Sequence, residues 1–324
     1  MTLSVTVCYV LTSNGKDVYA DMNLISAWSL RESNPTAKII ILCDHQTLDS
    51  LEEINHAILK LADQVISINL PSYSPSFRNR YMKTSARQYI KGPFLYLDAD
   101  ILVRDDITPI FSTPAFLSGV PNHSGTGSPS EIPATETTIF KQLNWPIPSK
   151  YYVNGGVLFF ADNPDVYAFC NLWHQKWKEC STTFGKHYDQ PSLNSAISES
   201  NINFSWLEPK FNAQVHARPQ TAWGAAIWHI YLSDHHVLPK TVLEQLLTAL
   251  QKGELVTPNQ VAKRCKQSHP WIISNLIDWV AVQQMKNSKD FLYGNRWERL
   301  WLADQHFLAL RVIIERLTKK REFQ

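Results

Sequence analysis

Three short apolar runs constrain this chain more than anything else in it. Val5–Leu11, Lys38–Cys43 and Phe94–Leu97 are almost continuously apolar, with no alternation of polar and apolar positions. A strand with one face in water alternates; a run without alternation is buried on both faces, as in a parallel sheet covered by helices. From Asp17, the residues Val18, Met22, Ile25 and Trp28 recur at helical spacing, and the helix ends before Pro35. Thr47–Leu61 reads as a second helix and Val65–Leu70 as a third strand. This β-α-β-α-β order predicts an α/β protein and the first half of a nucleotide-binding sheet. The phosphate loops of the commonest such folds are missing: no GxGxxG follows the first strand and no GxxxxGK[ST] occurs anywhere. With 324 residues, 44% of them hydrophobic, the chain can fill one large domain or a domain plus an extension.

The run at Phe94 continues as Phe-Leu-Tyr-Leu-Asp-Ala-Asp-Ile-Leu-Val to Val103. Read as one extended strand, it puts Asp98 and Asp100 on the same face, ~7 Å apart along the backbone. Open α/β sheets bind ligands beyond the carboxyl ends of their strands. Two carboxylates there repel unless a cation lies between them, and a divalent metal carrying a phosphate is the natural third party. Two solvated aspartates in a loop are the plainer alternative.

Further along, Arg78–Ile90 reads as a helix bearing Arg78, Arg80, Lys83 and Arg87. Most of these are solvated helix charges; one or two face the site into which the next strand opens. Residues 112–150 lack periodicity and are rich in Pro, Ser, Thr and Gly, which suits a lid or an acceptor-side loop. Asn154-Gly155-Gly156 leads into a strand at Val157–Phe160, and glycines there permit close backbone approach to a ligand. Asn163-Pro164 starts a helix whose Val166, Phe169, Trp173 and Trp177 form a core stripe. Asp189-Gln190-Pro191 begins another. Ile202–Trp206, Phe211–Gln214 and Ala225–Tyr231 are β-rich, and the last carries His229, which on its own reads as a hydrogen-bonded core histidine. Helices are expected at 241–252, 271–285 and 295–320.

Taken together, Tyr96-Leu97-Asp98-Ala99-Asp100, Asn154-Gly155-Gly156-Val157-Leu158, Asp189-Gln190-Pro191-Ser192-Leu193-Asn194 and His229 resemble glycosyltransferase family 8 in order and spacing. That family includes bacterial lipopolysaccharide galactosyl- and glucosyltransferases and the glycogenins. The resemblance covers residues 3–235. It implies a GT-A fold at 1–237; 238–324 lies outside the resemblance and reads, from its own pattern, as a helical C-terminal extension. It also implies a UDP-sugar donor, Mn²⁺ (or Mg²⁺) and sugar transfer with retention of configuration. Asp98, Asp100 and His229 are the implied metal ligands. Val10, Leu11, Thr12 and Asp17 would border the uracil and ribose, with Asp98 and Ala99 near the ribose. Lys83 falls where the family places a basic residue on the donor. Asn154 and Gly155 would line the donor sugar, Asp189 would accept from its hydroxyls, and Gln190 would lie beneath the anomeric carbon. An amide is a poor nucleophile, so Gln190 favours same-face attack assisted by the leaving phosphate.

One departure stands out. The family follows its histidine with Gly and then Lys-Pro-Trp, where the Lys binds the diphosphate; here Ile230-Tyr231-Leu232-Ser233 follows. Arg218, His235 and His236 are the candidate substitutes. The runner-up reading is therefore a weak or inactive nucleotide-sugar binder. An Asp-x-Asp phosphatase is disfavoured because Leu102 stands where that motif wants Thr or Val. A nucleotidyltransferase is disfavoured because no Gly-rich basic loop follows the first strand. The acceptor is left open as a glycan, a lipid-linked sugar or a small molecule. Residues from 251 onward hold 13 Lys/Arg and 7 Asp/Glu in a chain of net charge +2. That diffuse excess gives little support to nucleic-acid binding; packing is its default role, and peripheral membrane contact through the basic helices is the sharper one. No run reaches the ~20 apolar residues of a membrane span, and no basic region precedes the first strand. A cytoplasmic location with reduced cysteines is expected, since the five Cys form no CxxC.

Overall fold

The computed structural model describes residues 5–122, 132–148, 152–230 and 239–287. The 295–320 helix, His235 and His236 lie outside them. The first half alternates as expected: β1 (Thr6–Leu11), α1 (Val18–Ser33), β2 (Lys38–Asp44), α2 (His45–Glu53), α3 (Ala57–Leu61), β3 (Gln64–Ile68) and α4 (Pro75–Ser85). Local chemistry sets these boundaries. Asp17, Asp44 and Ser74 accept from backbone N–H groups at the starts of α1, α2 and α4. Pro75 occupies the first turn of α4, where its missing N–H costs nothing, so this helix begins three residues earlier than expected. The expected 47–61 helix is two helices, broken where Asn55 takes a left-handed φ of 51°.

The middle of the chain forms β4 (Phe94–Leu97), β5 (Ile101–Val103), β6 (Leu117–Pro121), α5 (Ala134–Gln142), β7 (Val153–Phe160), α6 (Pro164–Phe184), α7 (Gln190–Ser200) and β8 (Phe204–Trp206). It corrects three expectations. Phe94–Val103 is two strands, not one. The 112–150 segment contains β6 and α5; α5 presents only Ile139 and Phe140 as well-buried apolar side chains, too few to show a period. Asn154-Gly155-Gly156 lies inside β7, not at its entrance. Helix α6 starts on the Asn163 cap with Pro164 behind it and ends at Gly185, φ 60°. The chain closes with β9 (Ala213–Gln214), β10 (Ile227–His229), α8 (Val242–Gln251), α9 (Pro258–Cys265) and α10 (Leu276–Asn287). Helix α9 was not expected, although Thr257 and Gln260 form its capping box.

Seven strands make the main sheet, in the order β3-β2-β1-β4-β7-β6-β8. Only β7 runs against its neighbours, β4 and β6, so the sheet is mostly parallel. A second sheet, β5-β10-β9, packs beside it. The main sheet has a buried cluster on each face, one including Leu24 and Leu30 of α1, the other Trp173 of α6 and Leu193 of α7. A third cluster joins Trp228 of β10 and Ile25 of α1 to Val242, Leu246, Val261 and Val282 of the C-terminal helices. Arg104 pins this layer: its guanidinium lies 3.9 Å from the Trp228 ring and donates to the carbonyls of Ala225, Cys265 and Gln267. All five cysteines are buried and free. Among the described residues no helix is long and apolar enough to cross a membrane.

Candidate active site

Asp98, Ala99 and Asp100 form a turn that carries the chain from the main sheet to the small one. The Asp98 N–H donates to Gly156 O at 2.9 Å, extending the pairing of β4 with β7. The Asp100 carbonyl accepts from Ile230 N at 2.8 Å, and Ile101 pairs with His229. The change of sheet replaces the extended geometry expected of Asp-x-Asp, and brings both carboxylates to one imidazole. One ligand atom each from Asp98, Asp100 and His229 lie within 4.8 Å of one another. His229 Nε2 is 3.3 Å from Asp100 Oδ1. Two carboxylates and an imidazole, converging at the carboxyl end of β4, could hold a divalent cation.

A second acid sits alongside with a different charge balance. Both oxygens of Asp189 are taken by cations from one face of α4: Arg80 Nε at 2.9 Å and Lys83 Nζ at 2.7 Å. Lys83 also reaches Asp98 Oδ1 at 3.2 Å, and the Tyr96 hydroxyl donates to that oxygen at 2.5 Å. Burial pushes the Asp189 carboxyl up, but Arg80 and Lys83 outweigh it and hold it down at about 2. The same contest keeps Asp98 below its usual range: burial raises it, and Lys83, Arg80 and His229 lower it further. Asp189, in turn, raises the Arg80 guanidinium against the lowering by its partial burial. Burial and the neighbouring Asp98 carry the Tyr96 phenol well above its ordinary value.

The polar wall is built on β7 and the start of α7. Gln190 Oε1 accepts from Gly155 N at 3.2 Å and from Asn154 Nδ2 at 3.5 Å. Asn154 Nδ2 also donates to Asn122 Oδ1 at 3.2 Å. A Cβ on Gly155 would stand 3.3 Å from Asp189 Oδ2 and 3.4 Å from Lys83 Nζ. At Gly156 the space is closed altogether: a Cβ would fall 2.3 Å from His229 Cε1 and 3.0 Å from Asp98 Oδ2. Only glycine lets β7 run directly beneath the acid–imidazole cluster.

The remaining expected residues divide. Val10 and Leu11 are in β1, their side chains in opposite clusters of the core. Thr12 follows, its Oγ1 buried with no hydrogen-bond partner among the described residues. Asp17 spends its carboxylate on Ser13, on Asn14 N and on Tyr19 N at the start of α1. Ala99 packs against the cluster that holds the C-terminal helices. Sequence reading marked Gly156 only as one of two glycines permitting close backbone approach, gave Tyr96 and Asn212 no role in the site, and left Arg80 among several helix charges. The i, i+3 spacing of Arg80 and Lys83 was the available signal. It also missed Glu136 and Tyr152, hydrogen-bonded to each other on the Gln190 side. Burial raises the Glu136 carboxyl to about 7, against the lowering by Tyr152.

No protein-family model and no curated protein matches the sequence. Solved structures match in shape. The galactosyltransferase LgtC, in complex with donor and acceptor sugar analogs, aligns with 79% of this chain and 98% of its own, at 16% identity and TM-score 0.50. The glycosyltransferase GlyE of Streptococcus pneumoniae TIGR4 aligns over 84% of this chain and 66% of its own, at 16% identity and TM-score 0.52. The fold is therefore the GT-A arrangement seen in these glycosyltransferases: a mostly parallel central sheet flanked by helices.

Proposed function

We propose that this protein is a metal-assisted retaining hexosyltransferase. It would move a sugar from a UDP-sugar to a glycan, a lipid-linked sugar or a small-molecule acceptor. The observation that carries the reading is the junction of the Asp98–Asp100–His229 cluster with a wall of Asn154, Gly155, Asp189 and Gln190. A nucleotide diphosphate needs the first and a hexose the second. The likeness in fold to LgtC, whose structure holds donor and acceptor sugar analogs, supports it.

In this reading Asp98, Asp100 and His229 hold Mn²⁺ or Mg²⁺. The bound ion supplies Lewis-acid stabilisation of the departing diphosphate. Lys83 and Arg80 keep Asp189 ionised and oriented. A carboxylate oxygen that already accepts from a cation retains a second acceptor site, so Asp189 can still take a sugar hydroxyl. Gln190 is fixed by Gly155 N and Asn154 and contributes position rather than a nucleophile. The acceptor then attacks from the face the diphosphate leaves. Family 8 membership and a cytoplasmic location, with the basic extension against a membrane, belong to the same proposal.

The test is a panel of UDP-sugars with Mn²⁺, read by mass spectrometry for donor hydrolysis and transfer. Release of UDP from one donor, abolished by a chelator, is the expected result. UDP binding in a calorimeter with no turnover of any donor would favour the second reading, a catalytically weak or inactive nucleotide-sugar binder. That reading is motivated by Ile230 and Tyr231, which stand where the family's Gly and Lys motif begins.

A further inference from the structure

We propose that Asn212, locked by Asn154, sets the tautomer of His229 and thereby presents its Nε2 lone pair to the cation. The inference rests on the metal reading above and names the residues that make the imidazole a ligand. It follows from donor and acceptor logic along one buried chain of groups. Gly156 N donates to Asn154 Oδ1 at 3.0 Å. A backbone N–H can only donate, so the receiving atom is the amide oxygen and Asn154 cannot be turned over. Asn212 Nδ2 donates to that same oxygen at 3.0 Å. The orientation of Asn212 is thereby fixed too, with its own oxygen on the far side. That oxygen lies 2.9 Å from His229 Nδ1. It can only accept, so Nδ1 carries the proton.

The consequence falls on the other ring nitrogen. With the proton on Nδ1, neutral His229 has its lone pair on Nε2, the atom 3.3 Å from Asp100 Oδ1. In the opposite tautomer Nε2 would donate to Asp100 and could not bind a metal. Asn212 is fully buried, and Asn154 and His229 nearly so, which keeps bulk water from offering Nδ1 an alternative. Gly156 serves the relay twice. Its N–H starts it, and its missing side chain leaves room for the His229 ring. The relay crosses from β7, through the residue before β9, to the end of β10. Groups behind a metal-binding histidine commonly fix its ring and tautomer in this way. Asn212 is thus a positioning residue that acts through His229.

The decisive measurement is the long-range ¹H–¹⁵N spectrum of the metal-free protein with ¹⁵N-labelled histidine. The His229 signal is identified by its loss in His229→Gln. Recorded at a pH high enough that the ring is neutral, the wild type is expected to show a protonated Nδ1 and an unprotonated Nε2. Asn212→Leu, similar in size but with no acceptor, should lose that pattern and bind Mn²⁺ roughly 10- to 100-fold more weakly. Asn212→Asp keeps an acceptor against Nδ1 and should retain the tautomer, while placing a second acceptor against Asn154 Oδ1 at a cost in stability. A neutral ring with its proton on Nε2 in the wild type would overturn the proposal. So would an Asn212→Leu protein with unchanged tautomer and unchanged Mn²⁺ affinity. Should His229→Gln fail to fold, the ring is identified in the wild type by the contact of its Cε1 proton with the Gly156 Cα protons, so the question stays decidable. If the wild type binds no Mn²⁺ that Asp100→Asn removes, the metal reading fails; the metal-free spectra report separately whether the relay exists.

Discussion

Asp189 and Asp100 stand in one cleft and are balanced in opposite ways. Asp189 is clamped by two cations that belong to the protein, Arg80 and Lys83, and stays ionised at any ordinary pH. Asp100 faces the imidazole of His229 across 3.3 Å. The first arrangement is complete as it stands. The second, when the imidazole is neutral, sets one lone-pair bearer against another, and only a cation or a proton between them makes the contact favourable. A site with one permanently compensated acid and one acid awaiting a partner can hold fixed geometry on one side and exchange an ion on the other.

The sharpest way to break this comparison is to remove the shared cation. Lys83 is buried and serves both Asp189 and Asp98. Lys83→Met leaves two carboxylates undercompensated and should cost about 3–5 kcal/mol. Urea unfolding would show it, and an unchanged midpoint would remove Lys83 from the clamp. Asp100→Asn should hardly affect stability, yet lower Mn²⁺-dependent donor turnover by about 10²-fold or more. Undiminished turnover would end the metal assignment. Glu136→Gln probes an acid with no cation acting on it among the described residues. Its carboxyl is raised to about 7 by burial, from the ordinary 4.5. The native state therefore loses stability as pH rises from about 4.5 to 7, and the loss is complete above that. The variant should be more stable than the wild type by on the order of 2 kcal/mol at pH 8, and equal to it near pH 4. A constant difference across that range would refute the assignment. Arg80→Gln, at the half-exposed end of the clamp, should cost under about 1 kcal/mol. It should also raise the Asp189 carboxyl somewhat above about 2, with Lys83 still holding it down, so that acid unfolding begins at slightly higher pH.

Reading the sequence reached the strands whose burial is written in composition. The runs at Val5, Lys38 and Phe94 are strands, and the Asn163-Pro164 signal is the start of α6. It could not tell that Phe94–Val103 changes sheets at Asp98, because strand partners are chosen by the whole fold and leave no mark on an apolar run. The family resemblance implied one site for Asp98, Asp100, His229, Lys83, Asp189, Asn154, Gly155 and Gln190, and the structure joins them by short contacts. Asn212 carried no signal at all. Its place depends on which way two buried amides turn, and that is decided by a backbone N–H from a distant strand.

The turn at Ala99 has a mechanical corollary. Asp98 is bonded to the large sheet, whereas Asp100 and His229 ride on the small one. Their spacing is therefore a caliper reading of how the two sheets are seated. An ion held by all three residues would act as a rivet across that seam. Its binding energy would add to the docking of the sheets, and slow hydrogen exchange in β5 and β10.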